Sequence, residues 1–286
     1  MGGDRAPSVI VEGAVLACRD GLGPIILTGP AKRIRTCLNE HDTTDLPIEI
    51  HDAPDIISMS DHPTRAAKSK RDSSIHHGFR LVKDGQAAAF VSAGNSGAVM
   101  TVGLMVLGRL KACDRPALVT VLPTPGKMTV FLDVGANTEC RAAHLVQFGL
   151  MGSTYAQSCL GVERPSVCLL SNGTEPNKGT ETLREAHRLL NQTSLNYQGF
   201  VEGRHIPLGQ TDVIVCNGLI GNIVLKLSES LVGSIFERIR RAFRNDWMAT
   251  IAVPLVRGAL TRLGSELDWE KVGGAALLGL RGVSIV

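Results

Sequence analysis

Lys178 is the cation whose position carries most chemistry. It follows the turn-rich stretch Ser171-Asn172-Gly173-Thr174-Glu175-Pro176-Asn177 and precedes Gly179 and a helical segment. A lysine at a helix start opposes the helix dipole, which favours a role facing an anion over a simple solvated lysine. It can hold a phosphate or offset negative charge developing on an oxygen. Asn222 ends the stretch Asn217-Gly218-Leu219-Ile220-Gly221-Asn222. Its amide can donate to such an oxygen, or it can cap the long helix that follows. Asn95 and Ser96, flanked by Gly94 and Gly97, form a backbone nest for an anion or an N-capped helix running from Ala98. Asp133 and Asn137 can orient other groups, and Asp133 can equally cap a helix. Arg65, Lys68, Lys70 and Arg71 make a basic run that draws an anion in or forms a solvated face.

These residues need elements to hold them, and the apolar pattern supplies candidates. Short β-rich runs occupy 24–28, 48–51, 88–92, 118–122, 129–133, 166–170 and 212–216. Most are apolar throughout, as in strands buried on both faces of a parallel sheet covered by helices. Residues 74–83 and 182–190 carry apolar side chains at helical spacing. The pattern predicts an α/β fold in one domain over 1–286, with a mostly parallel sheet. Four of the runs end in Gly/Asn-rich turns, at 93–97, 134–137, 171–179 and 217–222. Carboxyl ends of strands line the ligand crevice in open α/β sheets. None of the turns matches the phosphate loop ending in Gly-Lys-Ser/Thr or the G-x-G-x-x-G fingerprint, so a nucleotide is not the first reading.

Composition sets outer bounds. The 286 residues are 44% hydrophobic and 20% charged, which excludes a disordered chain. Aromatics are 4% and the net charge is +3, which disfavours nucleic-acid binding. Seven scattered cysteines without C-x-x-C predict neither a disulfide framework nor a zinc cage, but buried thiols in a reducing cytoplasm. His76-His77 is adjacent rather than four apart, a poor metal pair, and no metal or cofactor is expected. Asp4 and Arg5 follow Met1 with no apolar stretch behind them, so no secretory leader is expected. The uncharged windows 85–108 and 142–162 contain too many polar residues for membrane spans and read as buried elements.

Taken in order, Met1-Gly2-Gly3-Asp4, Ser92-Ala93-Gly94-Asn95-Ser96-Gly97-Ala98, Asp133-Val134-Gly135-Ala136-Asn137, Lys178-Gly179, Gly221-Asn222 with Leu225-Lys226, and Gly273-Gly274-Ala275 resemble the PlsX-type phosphate acyltransferases of bacterial phospholipid synthesis. The resemblance runs over essentially the whole chain. It implies attack of inorganic phosphate on the acyl thioester of acyl carrier protein, giving acyl phosphate and free carrier. It implies a three-layer α/β/α sandwich similar to isopropylmalate dehydrogenases and phosphotransacetylases, and a homodimer. Lys178 and Asn222 are then the catalytic candidates. Gly94, Asn95, Ser96 and Gly97 bind phosphate, and Asp4, Asp133, Asn137 and Arg65 support them. Family members carry an apolar strand ahead of Met-Gly-Gly-Asp and continue past the position of Val286, so the resemblance implies a domain expected to lack the family's first strand and C-terminal helix. Two loops differ from the family pattern. Ser171-Asn172-Gly173-Thr174-Glu175 stands for Asn-Ile-Gly-Glu-Glu, and Asn217-Gly218-Leu219-Ile220-Gly221-Asn222 for Asp-Gly-Phe-Thr-Gly-Asn.

Alternatives remain within this architecture. One is a phosphotransacetylase-like enzyme using acyl-coenzyme A, and another is a non-catalytic module that binds carrier protein or membrane. A decarboxylating dehydrogenase would need a carboxylate cluster for a metal, and none is evident. Cys216, at a strand end, is a rival nucleophile that would take the acyl group before phosphate attacks, against the simpler reading of a buried thiol. Residues 238–262 hold six arginines and one acid, Asp246. Ile235, Ile239, Phe243 and Trp247 recur every four residues, and Leu255, Val256, Ala259, Leu260 and Leu263 continue beyond Pro254. Such a basic amphipathic segment, with Arg241, Arg244 and Arg257 on its polar side, suits an acidic carrier protein or the inner face of a membrane. The alternative is a core or dimer interface with solvated arginines.

Overall fold

The computed structural model describes residues 2–3, 5–245, 256–264 and 273–286. The chain forms two compact units, Met1–Pro116 with Ala276–Val286, and Ala117–Ala275. The first begins with α1 (Ser8–Arg19), β1 (Ile25–Gly29), α2 (Ala31–Leu38), β2 (Ile48–Asp52), α3 (Pro63–Ser69), α4 (Ser74–Lys83), β3 (Ala89–Val91) and α5 (Ser96–Val106). The second holds β4 (Ala117–Thr124), β5 (Lys127–Leu132), α6 (Ala142–Leu160), β6 (Ser166–Leu170), α7 (Glu181–Leu190), β7 (Asn196–Val201), β8 (Val213–Val215) and α8 (Gly218–Asn245). The chain then returns to the first unit with β9 (Ala276–Leu278) and β10 (Val283–Ile285).

In the first unit β1 and β2 pair in parallel, from Ile25 opposite Ile48 to Gly29 opposite Asp52. Val11 and Ala14 of α1 and Ile34 of α2 pack with Leu27 into a small core on this ribbon. The start of α2 lacks a side-chain cap from Pro30, and the Asp52 carboxylate accepts the Ala31 N–H instead at 2.8 Å. β10 pairs in parallel with β3 and antiparallel with β9. Phe79 of α4 and Phe90 of β3 pack with ring centroids 4.7 Å apart. This brings α4 so close that a Cβ at Gly78 would overlap the Phe90 ring.

In the second unit the order is β4-β5-β8-β6-β7, parallel from β5 onward. β4 and β5 form an antiparallel hairpin, closed over Pro125 and Gly126, whose φ is +76°. Val130, Phe131, Leu132, Val167, Leu169 and Val213–Val215 are fully buried, as their apolar runs require. α6 lies tight on this sheet because Gly152 presents no side chain: a Cβ there would meet Val213 at 2.5 Å and Leu132 at 2.8 Å. At the amino ends of β5, β6 and β8, Asp212 accepts from Lys127 Nζ at 2.7 Å and from Ser166 N and Oγ at 2.8 and 2.6 Å. Burial raises the Asp212 carboxyl, and these donors more than offset it, leaving it below the usual carboxylate range.

Each of the seven strand runs read from the sequence lies on a strand, and 74–83 is α4. β7, β9 and β10 lie outside those runs. β7 is interrupted by Gln198 and Gly199, and the other two are three residues each, too short for an alternation to register. The uncharged windows hold α5, with Ala98, Val99 and Val102 buried, and α6, with Leu145, Phe148 and Ala156 buried. Among the described residues α8 is the helix long and apolar enough to cross a membrane by length and composition, with a mean hydropathy of 1.4 over a window that is 6% buried.

Candidate active site

The turn after β5 is organised by one carboxylate. Asp133 is fully buried. Its Oδ1 accepts N–H bonds from Leu118 at 3.0 Å, Gly135 at 3.3 Å and Ala136 at 3.0 Å. Its Oδ2 accepts from the backbone and side-chain N–H groups of Asn137 at 2.7 and 2.9 Å. Burial pushes this carboxyl up, and the N–H donors pull against it without cancelling it. The amides of residues 135–137 therefore point inward at Asp133, so they form no external anion nest. Gly135 takes φ +144°, open to glycine and strained for other residues.

The same turn fixes the start of α8. Gly218 N–H donates to the Asn137 carbonyl at 2.7 Å. A Cβ at Gly218 would lie 2.8 Å from Asp133 Oδ2, and a Cβ at Gly221 would overlap the Asp133 carbonyl. Both glycines are thus required by close approach of helix to turn. The helix cap is Asn217, whose Oδ1 accepts Ile220 N–H at 2.9 Å. Capping therefore does not account for Asn222, five residues further on. Asn222 faces Gly135, with its Cβ 3.8 Å and its Oδ1 3.9 Å from where a Gly135 Cβ would stand. It is half-buried, and its amide makes no hydrogen bond among the described residues. Asp133, Asn137 and Asn222 are thus brought together.

Cys216 lies at this junction but not as a nucleophile. It is 1% exposed, its Sγ lies 3.5 Å from the Asp133 carbonyl, and burial followed by the Asp133 charge holds the thiol well above its usual range. A thiol kept protonated and covered cannot take an acyl group, which corrects the covalent reading.

Lys178 projects from the loop after β6. Its backbone N–H donates to the Glu175 carbonyl at 3.0 Å. Its stem covers Gly173, where a Cβ would stand 2.7 Å from Lys178 Cγ and 2.8 Å from Glu175 Oε2. Asn172 Oδ1 accepts Gly179 N–H at 3.0 Å and closes the loop. Thr180 caps α7 through Leu183 N–H, so Lys178 lies ahead of the helix rather than in its first turn. The ammonium is exposed and has no ion pair among the described residues.

In the first unit the Gly94–Gly97 stretch opens α5. Asn95 is 8% exposed and its side chain is fully engaged. Oδ1 accepts Ala98 N–H at 3.1 Å, while Nδ2 donates to the carbonyls of Asp61, Met59 and Ser58 at 3.0, 3.3 and 3.4 Å. Asn95 is therefore the N-cap of a helix that begins at Ser96, and it ties down the 58–61 loop. What this stretch offers a ligand is the exposed Ser96 and the backbone around Gly97 rather than the Asn95 amide. Gly2 packs on it, with its Cβ position 2.5 Å from Gly94 Cα, so two separate sequence motifs meet here. Gly97 abuts Pro63 of α3. Arg65 and Lys68 line a cavity of about 710 Å³ with His62, Thr64 and Ser69. Lys70 of the same basic run is instead held by Asp61 at 2.6 Å.

Arg241 and Arg244 are exposed on α8, with Arg241 3.0 Å from Glu237, and Arg257 is exposed in the helical stretch 256–264. Asp4, Asp246, Trp247, Pro254 and Leu255 lie outside the described residues. Among the described residues no three His, Cys, Asp or Glu side chains gather as a metal-ligand set.

The family model described as "Fatty acid synthesis protein" matches residues 1–286. A phosphate acyltransferase of Trichlorobacter lovleyi is 47% identical over 286 residues, all of this chain and 83% of that protein. In structure the chain is similar to a phosphotransacetylase from Streptococcus pyogenes, with a TM-score of 0.62 and 18% identity over 79% of each chain. It is also similar to a branched-chain phosphotransacylase from Enterococcus faecalis V583, with a TM-score of 0.58 and 17% identity over 99% of this chain and 88% of the other. At those identities the two structures share the α/β fold. The chain belongs to the fatty acid synthesis protein family, whose matched relative is a phosphate acyltransferase.

Two glycines of α8 separate the effect of close approach from helix propensity. Gly221→Ala forces a methyl into the Asp133 carbonyl and is expected to destabilise the protein by about 1–3 kcal/mol. Gly233→Ala meets nothing within 4 Å and is expected to stabilise it by about 0.5–1 kcal/mol. Urea unfolding of both variants checks this, and equal changes would mean the turn does not constrain the helix.

Proposed function

We propose that this chain transfers an acyl group from acyl carrier protein to inorganic phosphate. A phosphate oxygen attacks the thioester carbonyl, the C–S bond breaks, and the carrier leaves as a thiol once its sulfur takes a proton. Phosphate brings its own nucleophilic oxygen, so the protein's task is positioning and charge stabilisation. The observation that carries this reading is the Asn222 amide, unengaged and held at the head of a helix locked to a buried turn, in a chain of this family. Asn222 donates to the thioester oxygen as it gains charge. Lys178 supplies a cation with no ion pair among the described residues. Ser96, with its own N–H and that of Gly97, takes phosphate, and Arg65 adds attraction. Asp133 and Asn137 act through the turn that they hold. The site of action is the cytoplasm.

Incubation with acyl carrier protein thioester and phosphate, followed by hydroxylamine capture of acyl phosphate, tests the reaction. Lys178→Ala should lower turnover by roughly 10²-fold with an unchanged melting temperature. Product from acyl-coenzyme A alone would favour the phosphotransacetylase-like reading, and binding without product would favour a non-catalytic module. Near-normal turnover would return Lys178 to a surface charge.

We also infer two uses for α8. Leu219, Ile223, Leu227, Leu231 and Ile235 recur every four residues along it and are each more than half exposed. Such a ridge of i, i+4 neighbours packs into the grooves of another helix, and a homodimer covers it. The arginine-rich end beyond Glu237 suits an anionic membrane surface. Co-sedimentation with anionic vesicles should show salt-sensitive binding by the parent chain. The variant Arg241→Glu, Arg244→Glu, Arg257→Glu should lose it while keeping the parent's sedimentation mass. Absence of vesicle binding by the parent would leave these arginines solvated.

A further inference from the structure

Outside the residues assigned above, the first unit contains an unbroken row of three titratable side chains. His51 Nε2 on β2 lies 2.9 Å from His77 Nδ1 on α4, and His77 Nε2 lies 2.7 Å from an Asp72 carboxylate oxygen. The two rings are 4.9 Å apart between centroids and tilted by 49°, so the nitrogens meet rather than the faces. A carboxylate only accepts, which places a hydrogen on His77 Nε2. In neutral His77 the other nitrogen then carries a lone pair, and His51 Nε2–H must donate to it. His51 retains Nδ1 for one further proton. A second proton has no place: with both rings charged, two N–H groups would face each other across 2.9 Å.

The row spans a seam. It fastens β2 to α4 where Thr28 Oγ1 of β1 also donates to the Ser74 carbonyl at 3.1 Å, and where Asp55 pairs with Ser73. Several charged groups flanking the row are engaged with backbone, and α2, which packs on β2, adds Lys32, Arg33 and Arg35. Asp55 Oδ2 accepts Asp72 N–H at 3.4 Å, Arg80 donates to the Arg71 carbonyl at 2.9 Å, and Asp52 accepts from Ala31. Glu49 on β2 and Lys83 on α4 complete the charged side chains of the two elements. His76, next along α4, is 3% exposed; its Nδ1 meets Ser73 Oγ at 2.9 Å, and its Nε2 is buried with no hydrogen-bond partner among the described residues. Burial, reinforced by Arg80, holds that imidazole below its ordinary range.

We propose that Asp72, His77 and His51 form a proton-sensitive latch between α4 and the β1–β2 ribbon, one that keeps its bonds with one added proton and opens with two. Acidification offers protons to both rings, and the second can be taken only with loss of the His51–His77 bond. The comparison of choice is His51→Gln. A glutamine amide can turn to offer either N–H or C=O to His77, so it keeps a bond in both protonation states, and His76 is common to both chains.

Amide hydrogen exchange of the full chain at about pH 7.5 and about pH 5.5, corrected for intrinsic rates, reads the latch directly. Protection of Ile48–Asp52 should fall by roughly tenfold or more in the parent and by less than about threefold in His51→Gln. Equal falls in the two chains, or no fall in the parent, would overturn the proposal. If the variant does not fold, the ¹⁵N shifts of the parent's imidazoles decide it at neutral pH: hydrogen on His77 Nε2 supports the latch, and hydrogen on Nδ1 excludes it.

Discussion

The second unit depends on one buried carboxylate. Asp133 accepts five N–H bonds, four from residues 135–137 of its own turn and one from Leu118 of β4, and without that carboxylate the buried donors among them would be unsatisfied. The arrangement accounts for the composition around it. Gly135 takes a backbone conformation that side chains disfavour, and Gly218 and Gly221 admit the turn to within contact of α8. Cys216 ends β8 as a covered thiol because Asp133 and β5 lie on it. The chemistry assigned to Asn222 inherits its geometry from this packing, since a helix that cannot shift along the turn keeps the amide where it is.

The α8 helix joins inward and outward tasks in one element. Its first turn is pinned by glycines, while its next four turns expose leucines and isoleucines at every fourth position. Among the described residues the apolar ridge of this helix is open, which is why the proposed homodimer and membrane readings both fall on it. The arginines are confined to its far end, so association and catalysis are separable along one axis.

Much of this was legible in the sequence. Uniformly apolar runs such as Val213-Ile214-Val215 signalled strands buried on both faces, and the Gly/Asn turns after them marked the strand ends at which a site is proposed. Less visible were features that depend on tertiary partners. The antiparallel course of β4 and β5 was marked only by Pro125-Gly126 between two apolar runs. Asn95 looked like a ligand group because an asparagine between glycines suits a nest, yet three carbonyls of the 58–61 loop take its amide. No spacing in the sequence links residues 34 or more positions apart. Asn222 read as a candidate cap for the long helix, but that helix starts at Gly218 and Asn217 caps it. The row from Asp72 to His51 was likewise hidden, because His77 and His51 come from a helix and a strand 26 residues apart.

The central claim is that Asn222, held by the Asp133 turn, stabilises charge on the thioester oxygen. Single-turnover acyl phosphate formation by Asn222→Ala, with phosphate and carrier affinities measured alongside, tests it most directly. The account predicts a rate lower by roughly 10²-fold, both affinities within about twofold of the parent, and an unchanged melting temperature. A normal rate, or a loss that follows weakened affinity or stability, would contradict it.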